Sequence, residues 1–253
     1  MSVVSMCFSP TGGVQNVMNI LESEFGAKDH IDLTQNGRNY GIYRFEKNDL
    51  CLIGVPSYGG RVPEIAAKRI AQMKADGTKA VIVVVYGNRA YDDTLLELKN
   101  IAEGCGFYVI AAIGAVAEHS VARQFGRGRP DAKDKNDLHK FALDIKEKIQ
   151  EYGNINDLRL PGQEPYRPHT KLPLLPKADG NCNNCGLCAL KCPVGAISKE
   201  SGAVVDKEIC IGCMRCVDIC PKKARHISKL VSFGASMMLK KSCKTRKENE
   251  LFL

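Results

Sequence analysis

The sequence predicts an α/β protein: a doubly wound, five-stranded parallel sheet over residues 1–152, then a small α+β domain over 179–229. Three observations lead there. Apolar β-type runs alternate with stretches of helical spacing through the first 152 residues, and such alternation builds a parallel sheet covered on both faces. Five of the eleven prolines (Pro161, Pro165, Pro168, Pro173 and Pro176) then crowd into 153–178. Proline removes backbone donors and breaks helices, so this stretch reads as an extended linker. Finally, eight of the twelve cysteines fall between Cys182 and Cys220.

The elements follow in order. Ser2 to Phe8 is a β-rich run ending in Ser9-Pro10-Thr11-Gly12-Gly13. Val14, Val17, Met18, Leu21 and Phe25 then recur with helical spacing. Asp29 to Thr34 reads as a short strand, and Leu50 to Val55 as a buried strand ended by Pro56. Glu64 to Met73 is amphipathic through Ile65, Ile70 and Met73. Lys79 to Tyr86 holds five consecutive branched aliphatics and is the clearest buried strand. Asp93 to Glu103 is helical, Phe107 to Ala117 is the fifth strand, and Ala132 to Tyr152 is the last helix of the domain. Residues 230–253 read as a helical tail. Leu230, Phe233 and Met237 have i, i+3, i+7 spacing and are expected to dock on the protein, with Lys240, Lys241, Lys244, Arg246 and Lys247 in water.

The cysteines form an internal repeat with a 28-residue offset. Cys182, Cys185, Cys188, Cys192, Pro193 and Ala196 return as Cys210, Cys213, Cys216, Cys220, Pro221 and Ala224. Each run is C-x2-C-x2-C-x3-C-P. Three closely spaced thiolates wrap a loop around one cubane and hold three irons, so the fourth iron needs a ligand from elsewhere. The proline turns the chain away, and Gly186 and Gly212 let the backbone approach closely. Structural zinc sites instead pair two short cysteine hooks across a longer spacer, which fits poorly. This segment, about a fifth of the chain, resembles a two-cluster bacterial-type ferredoxin, in which the fourth cysteine of each run serves the other cluster. The resemblance implies two 4Fe-4S clusters: the first on Cys182, Cys185, Cys188 and Cys220, the second on Cys210, Cys213, Cys216 and Cys192.

In a doubly wound sheet, ligands bind beyond the C-terminal strand ends. After the first strand, Ser9, Thr11, Gly12, Gly13 and Val14 lead directly into a helix. Hydroxyls and free N–H groups there suit a phosphate. After the third come Pro56, Ser57, Tyr58, Gly59 and Gly60; after the fourth, Tyr86, Gly87, Asn88, Arg89 and Tyr91. These two glycine loops with flanking tyrosines suit a flat ring. Over about residues 1–152 the chain resembles flavodoxin, a family whose cofactor is FMN. It departs from the usual Thr-Gly-Asn-Thr loop, because Gly13-Val14 follows Thr11-Gly12 and one hydroxyl is missing. With no tryptophan, ring stacking falls to Tyr58, Tyr86 or Tyr91. His119, after the fifth strand, reads as a hydrogen-bonded loop histidine, with proton transfer to flavin as the rival role. Cys7, Cys51 and Cys105 read as small buried thiols.

Composition narrows the function. Of the net charge of +8, residues 1–150 carry +1 and residues 151–253 carry +7. A basic half points to nucleic acid. Here two clusters at about −2 each and an FMN phosphate at about −2 offset most of the excess, so no nucleic-acid partner is expected. The longest apolar run is eleven residues, against about 20 needed to span a membrane. No secretory signal is read at the N-terminus, so the cytoplasm is the expected compartment.

The whole chain is similar to flavodoxin–ferredoxin fusion proteins of anaerobic bacteria and archaea. The resemblance implies an electron-transfer flavo-iron-sulfur protein serving an external redox partner protein. The alternatives are a flavin-dependent reductase of a small-molecule substrate and a ferredoxin with a flavin-free docking domain. No strand is followed by G-x-G-x-x-G, so direct nicotinamide oxidation has no support. Oligomeric state stays open.

Overall fold

The computed structural model describes residues 2–151, 158–170, 174–198, 200–201 and 204–253. Five strands run parallel: β1 (Val3–Cys7), β2 (Asp29–Asp32), β3 (Leu50–Pro56), β4 (Thr78–Tyr86) and β5 (Phe107–Val116). Their spatial order is β2-β1-β3-β4-β5. This is the flavodoxin-like doubly wound order, with its switch point between β1 and β3. The four connecting helices are α1 (Gly13–Phe25), α2 (Glu64–Ile70), α3 (Thr94–Gly104) and α4 (Ala132–Glu151); the Tyr152 end of the last expected helix lies outside the described residues.

The strand pleat sorts the core into two layers. Leu52, Val81, Val83 and Ile113 face α1 and α4, where they meet Val17, Leu21, Leu138 and Ile145. Ile53, Val55, Ile82 and Val84 face the other way, toward Ala66, Ile70, Leu95 and Leu98 of α2 and α3. Gly54 permits the close seat of α1. A Cβ there would stand 2.6 Å from Met18 Sδ and 3.1 Å from Val14 Cγ1.

The described part of the proline-rich stretch is extended but clamped. Leu158 is buried in the core layer of α2 and α3. Arg167 N donates to Asp93 Oδ2 at 2.8 Å, its guanidinium pairs with Asp92, and Arg61 lies over the Tyr166 ring at 5.0 Å.

The cysteine repeat is also a backbone repeat. The helices α5 (Leu187–Leu190) and α6 (Arg215–Asp218) stand 28 residues apart. Three pairs of left-handed residues share that offset: Asn184 and Gly212, Gly186 and Met214, Gly195 and Lys223. Left-handed backbone is uncommon outside glycine. Its recurrence at matched positions, with glycine in only one member of each pair, marks one loop built twice. A two-residue antiparallel pair, Lys177–Ala178 with Arg225–His226, closes the unit.

The tail departs from a helical reading after Lys240. The helix α7 (Lys229–Lys240) is followed by β6 (Glu250–Phe252), which adds antiparallel to β5 as a sixth strand. Asn249 anchors it: its Oδ1 accepts from Val116 N at 3.0 Å and its Nδ2 donates to Asp134 Oδ1 at 3.0 Å. The docking expected of α7 is also corrected. Leu230, Phe233 and Met237 are 81%, 65% and 53% exposed, so the apolar stripe lies in water.

Candidate functional site

Four of the expected ligands, Cys192, Cys210, Cys213 and Cys216, line one small cavity of about 20 Å³ with Pro176, Ile197, Val205, Ile211 and Arg215. Burial first, and then the neighbours Cys192 and Cys210, push the Cys213 and Cys216 thiols up to about 12. Around Cys216 the Arg225 charge works against that rise. Thiols pushed up in this way stay protonated on their own, and a cationic iron core would take them as thiolates.

One cysteine of the first set lies beside the second. Cys188 packs with Cys192, Cys210 and Cys216 in a small core that also holds Ala189, Ala196 and Ile197. The first set is the more open of the two: Cys185 is exposed and Cys182, Cys188 and Cys220 are half-buried. The fourth cysteine of each run accepts a matched backbone bond, Ala196 N to Cys192 Sγ and Ala224 N to Cys220 Sγ, both 3.3 Å. Such bonds favour the thiolate.

A guanidinium group ties this unit to the β1 end of the sheet. Arg215 Nη1 donates to Pro10 O at 3.1 Å and Ser9 O at 3.4 Å, inside the loop read as a phosphate cradle. Behind it, Ser9 Oγ accepts from Gln15 N at 2.9 Å, and Gly12 caps α1 in a left-handed conformation. No acidic residue sits in the first turn of α1, so the N–H groups at this helix start suit an anion. Thr11 and Gly13 line an open cavity of about 520 Å³ with Lys135, Arg123, Arg129, Glu118 and Asp218, in which Arg123 pairs with both carboxylates and Arg129 with Asp134. Val14 is 3% exposed and packs in the core with Val17 and Met18, so its side chain takes no part in the cradle; only its N–H is left for a ligand.

The two later loops are engaged with each other and with the rest of the chain. Tyr58 and Arg61 close a tight turn through Gly59 and Gly60, and Asp93 N donates to Gly60 O at 3.1 Å. Ser57, which follows Pro56, has its Oγ 2.8 Å from Thr94 Oγ1. Burial, and then Cys213, push the Tyr58 phenol well above its ordinary value. Tyr86 and Tyr91 pack edge to face at 5.1 Å, and Tyr91 OH donates to Glu250 Oε2 at 2.7 Å. Asn88 Nδ2 donates to Cys243 O and Thr245 O, and Asn88 Oδ1 accepts from Lys247 N. Arg89 pairs with Asp92. Gly87 lies against His119, whose ring a Cβ would meet at 2.5 Å.

Sequence reasoning missed four residues here. Arg69, 4% exposed, donates to Leu33 O at 2.6 Å and across to Pro193 O at 2.5 Å. Arg215 and Arg225 lie in the repeat itself, and their asymmetry against Leu187 and Ile197 was the available signal. The carboxylate of Asp134, fully buried, pairs with Arg129 and Arg246 and receives Asn249, which locks the tail to the start of α4.

The fold and this site define a flavodoxin-like domain joined to a two-cluster ferredoxin-type domain. Residues 181–224 match the family model described as 4Fe-4S dicluster domain. Among curated proteins, the chain is 36% identical over 78 residues to the protein NrfC homolog of Haemophilus influenzae, covering 29% of this chain and 34% of that one. It is 42% identical over 64 residues to one of the subunits of tetrathionate reductase from Archaeoglobus fulgidus, covering 24% and 30%. The chain thus spans about a third of the length of the curated relatives it matches. Among solved structures, oxidised flavodoxin 1 from Bacillus cereus aligns with 60% of this chain and all of that one, at 12% identity and a TM-score of 0.43. Among the described residues, no helix is long and apolar enough to cross a membrane.

Proposed function

We propose that the chain is an electron carrier in which FMN, on the flavodoxin-like domain, and the two 4Fe-4S clusters form one relay to an external redox partner protein. The observation that supports this is the seat of the second cysteine set. Arg215, between Cys213 and Cys216, lies on the Ser9-Pro10 loop, and Ile211, next to Cys210, packs against the same core layer as Tyr58 of the next loop. When bound, FMN supplies two-electron chemistry and each cluster a one-electron step.

The chain's own groups have distinct parts. Thr11 and the N–H groups of Gly12, Gly13 and Val14 hold the phosphate at the positive end of α1. Arg215 fixes the loop that carries this cradle. The ferredoxin-type domain is held at this end of the sheet, where Arg69 reaches Pro193. One curated relative is a component of a reductase, and a redox partner follows by analogy with it.

A second reading, a flavin-free platform under a ferredoxin, is favoured by the 86–91 loop, whose side chains are spent on the tail and on each other. A cofactor inventory on anaerobically reconstituted protein separates the two. The first reading expects about eight irons and one FMN per chain. Eight irons with no flavin retained after FMN is added would establish the second.

A further inference from the structure

The repeat makes the two cluster sites near copies, so their differences carry information. Among the described residues, three buried side-chain nitrogens have no hydrogen-bond partner: Arg215 Nε, Arg225 Nε and Arg225 Nη2. Both arginines border the second set. Arg215 sits between two of its cysteines and lines its cavity. Arg225 is 3% exposed, and its Nη1 is 3.5 Å from the carbonyl of Pro176, another residue of that cavity wall. The 28-residue offset puts Leu187 opposite Arg215, so there the first set has an apolar group where the second has a cation; Ile197, opposite Arg225, lines the second set's own cavity. A buried guanidinium with free donors is costly unless an anion receives them.

We infer that Arg215 and Arg225 direct these free N–H donors at the second cluster and make it the higher-potential cluster of the pair. The inference rests on the reading of 181–224 as two 4Fe-4S sites. Reduction adds one electron to the iron–sulfur core; no bond forms or breaks, and no proton moves, since both guanidinium groups stay charged. The reduced core is one unit more negative, and fixed cations beside it stabilise that form. Burial alone works the other way, because a more negative core is harder to hold away from water. The arginines therefore reverse the order that burial would impose. Electrons entering through the open first cluster, at Cys185, run toward the second, against the flavodoxin-like domain.

The test is a redox titration of the anaerobically loaded full chain followed by electron paramagnetic resonance, after iron and sulfide are counted. The wild type should show two one-electron steps. Arg225→Gln and Arg215→Gln should each lower the upper step by about tenfold in its reduced-to-oxidised ratio, about 59 mV, and leave the lower step in place. Arg225→Lys should recover part of the shift. A single potential in the wild type, an upper step that does not move, or equal shifts of both steps would overturn the inference with the cluster reading intact. A wild type that binds well under eight irons would overturn both. If one glutamine variant fails to load, the wild-type separation and the other variant still decide.

Discussion

His119 lies past the end of β5 with its Nδ1 accepting from Val121 N and Ala122 N, both at 3.2 Å. Burial, and then the Arg89 charge, push its pKa down to about 4. The ring is therefore neutral and structural, as a hydrogen-bonded loop histidine should be, and its Nδ1 is not free to shuttle protons. The consequence for stability has a definite sign. The unfolded chain takes up this proton near pH 6.5, before the folded one does. The contribution is thus complete above about pH 6.5 and declines as pH falls toward 4. Urea unfolding across that window should show wild-type stability falling with pH, and His119→Gln should flatten the slope. An unchanged slope would mean that the imidazole charges in the folded state. At this scale the sequence shows residue type and loop membership but not what each side chain touches. Tyr86 and Tyr91 were legible as loop aromatics, whereas their packing on each other and on Glu250 depends on a strand that arrives 159 residues after Tyr91.

At the scale of elements, the parallel sheet was legible because it repeats a strong signal. Continuous apolar runs such as Val81 to Val85 and helical stripes such as Val14, Val17, Met18 and Leu21 are long, and the central strands β3 and β4 are buried on both sides. The tail was not legible for two reasons. β6 is three residues long and pairs with a strand over 130 residues away, so neither length nor local pattern announces it. α7 has an amphipathic stripe, and a stripe says that one face differs, not which face meets the protein. The three-residue β6 depends on its anchor. Asn249→Ala leaves Val116 N–H and one oxygen of the buried Asp134 short of a partner, which costs about 1–3 kcal/mol. A lower urea midpoint with an unchanged slope would show this. A midpoint equal to wild type would mean that water replaces the carboxamide and the tail is not pinned there.

For the whole molecule, the order of an α/β fold followed by an iron-sulfur region was readable from the alternation of elements and the cysteines. Their mutual placement was not, because it rests on single long-range contacts: Arg69 to Pro193, Arg215 to Pro10, Arg123 to Asp218 at 2.5 Å. No periodicity encodes such pairs. Those contacts bring the second cysteine set to the cofactor edge of the sheet, and the central claim is that electrons cross there within one chain. The most direct measurement is the rate of flavin bleaching after rapid anaerobic reduction of the clusters with a limiting one-electron donor, taken over a range of protein concentrations. The account predicts a first-order rate that does not change with concentration. A rate that rises in proportion to protein, or clusters that reduce with no flavin responding, would contradict it.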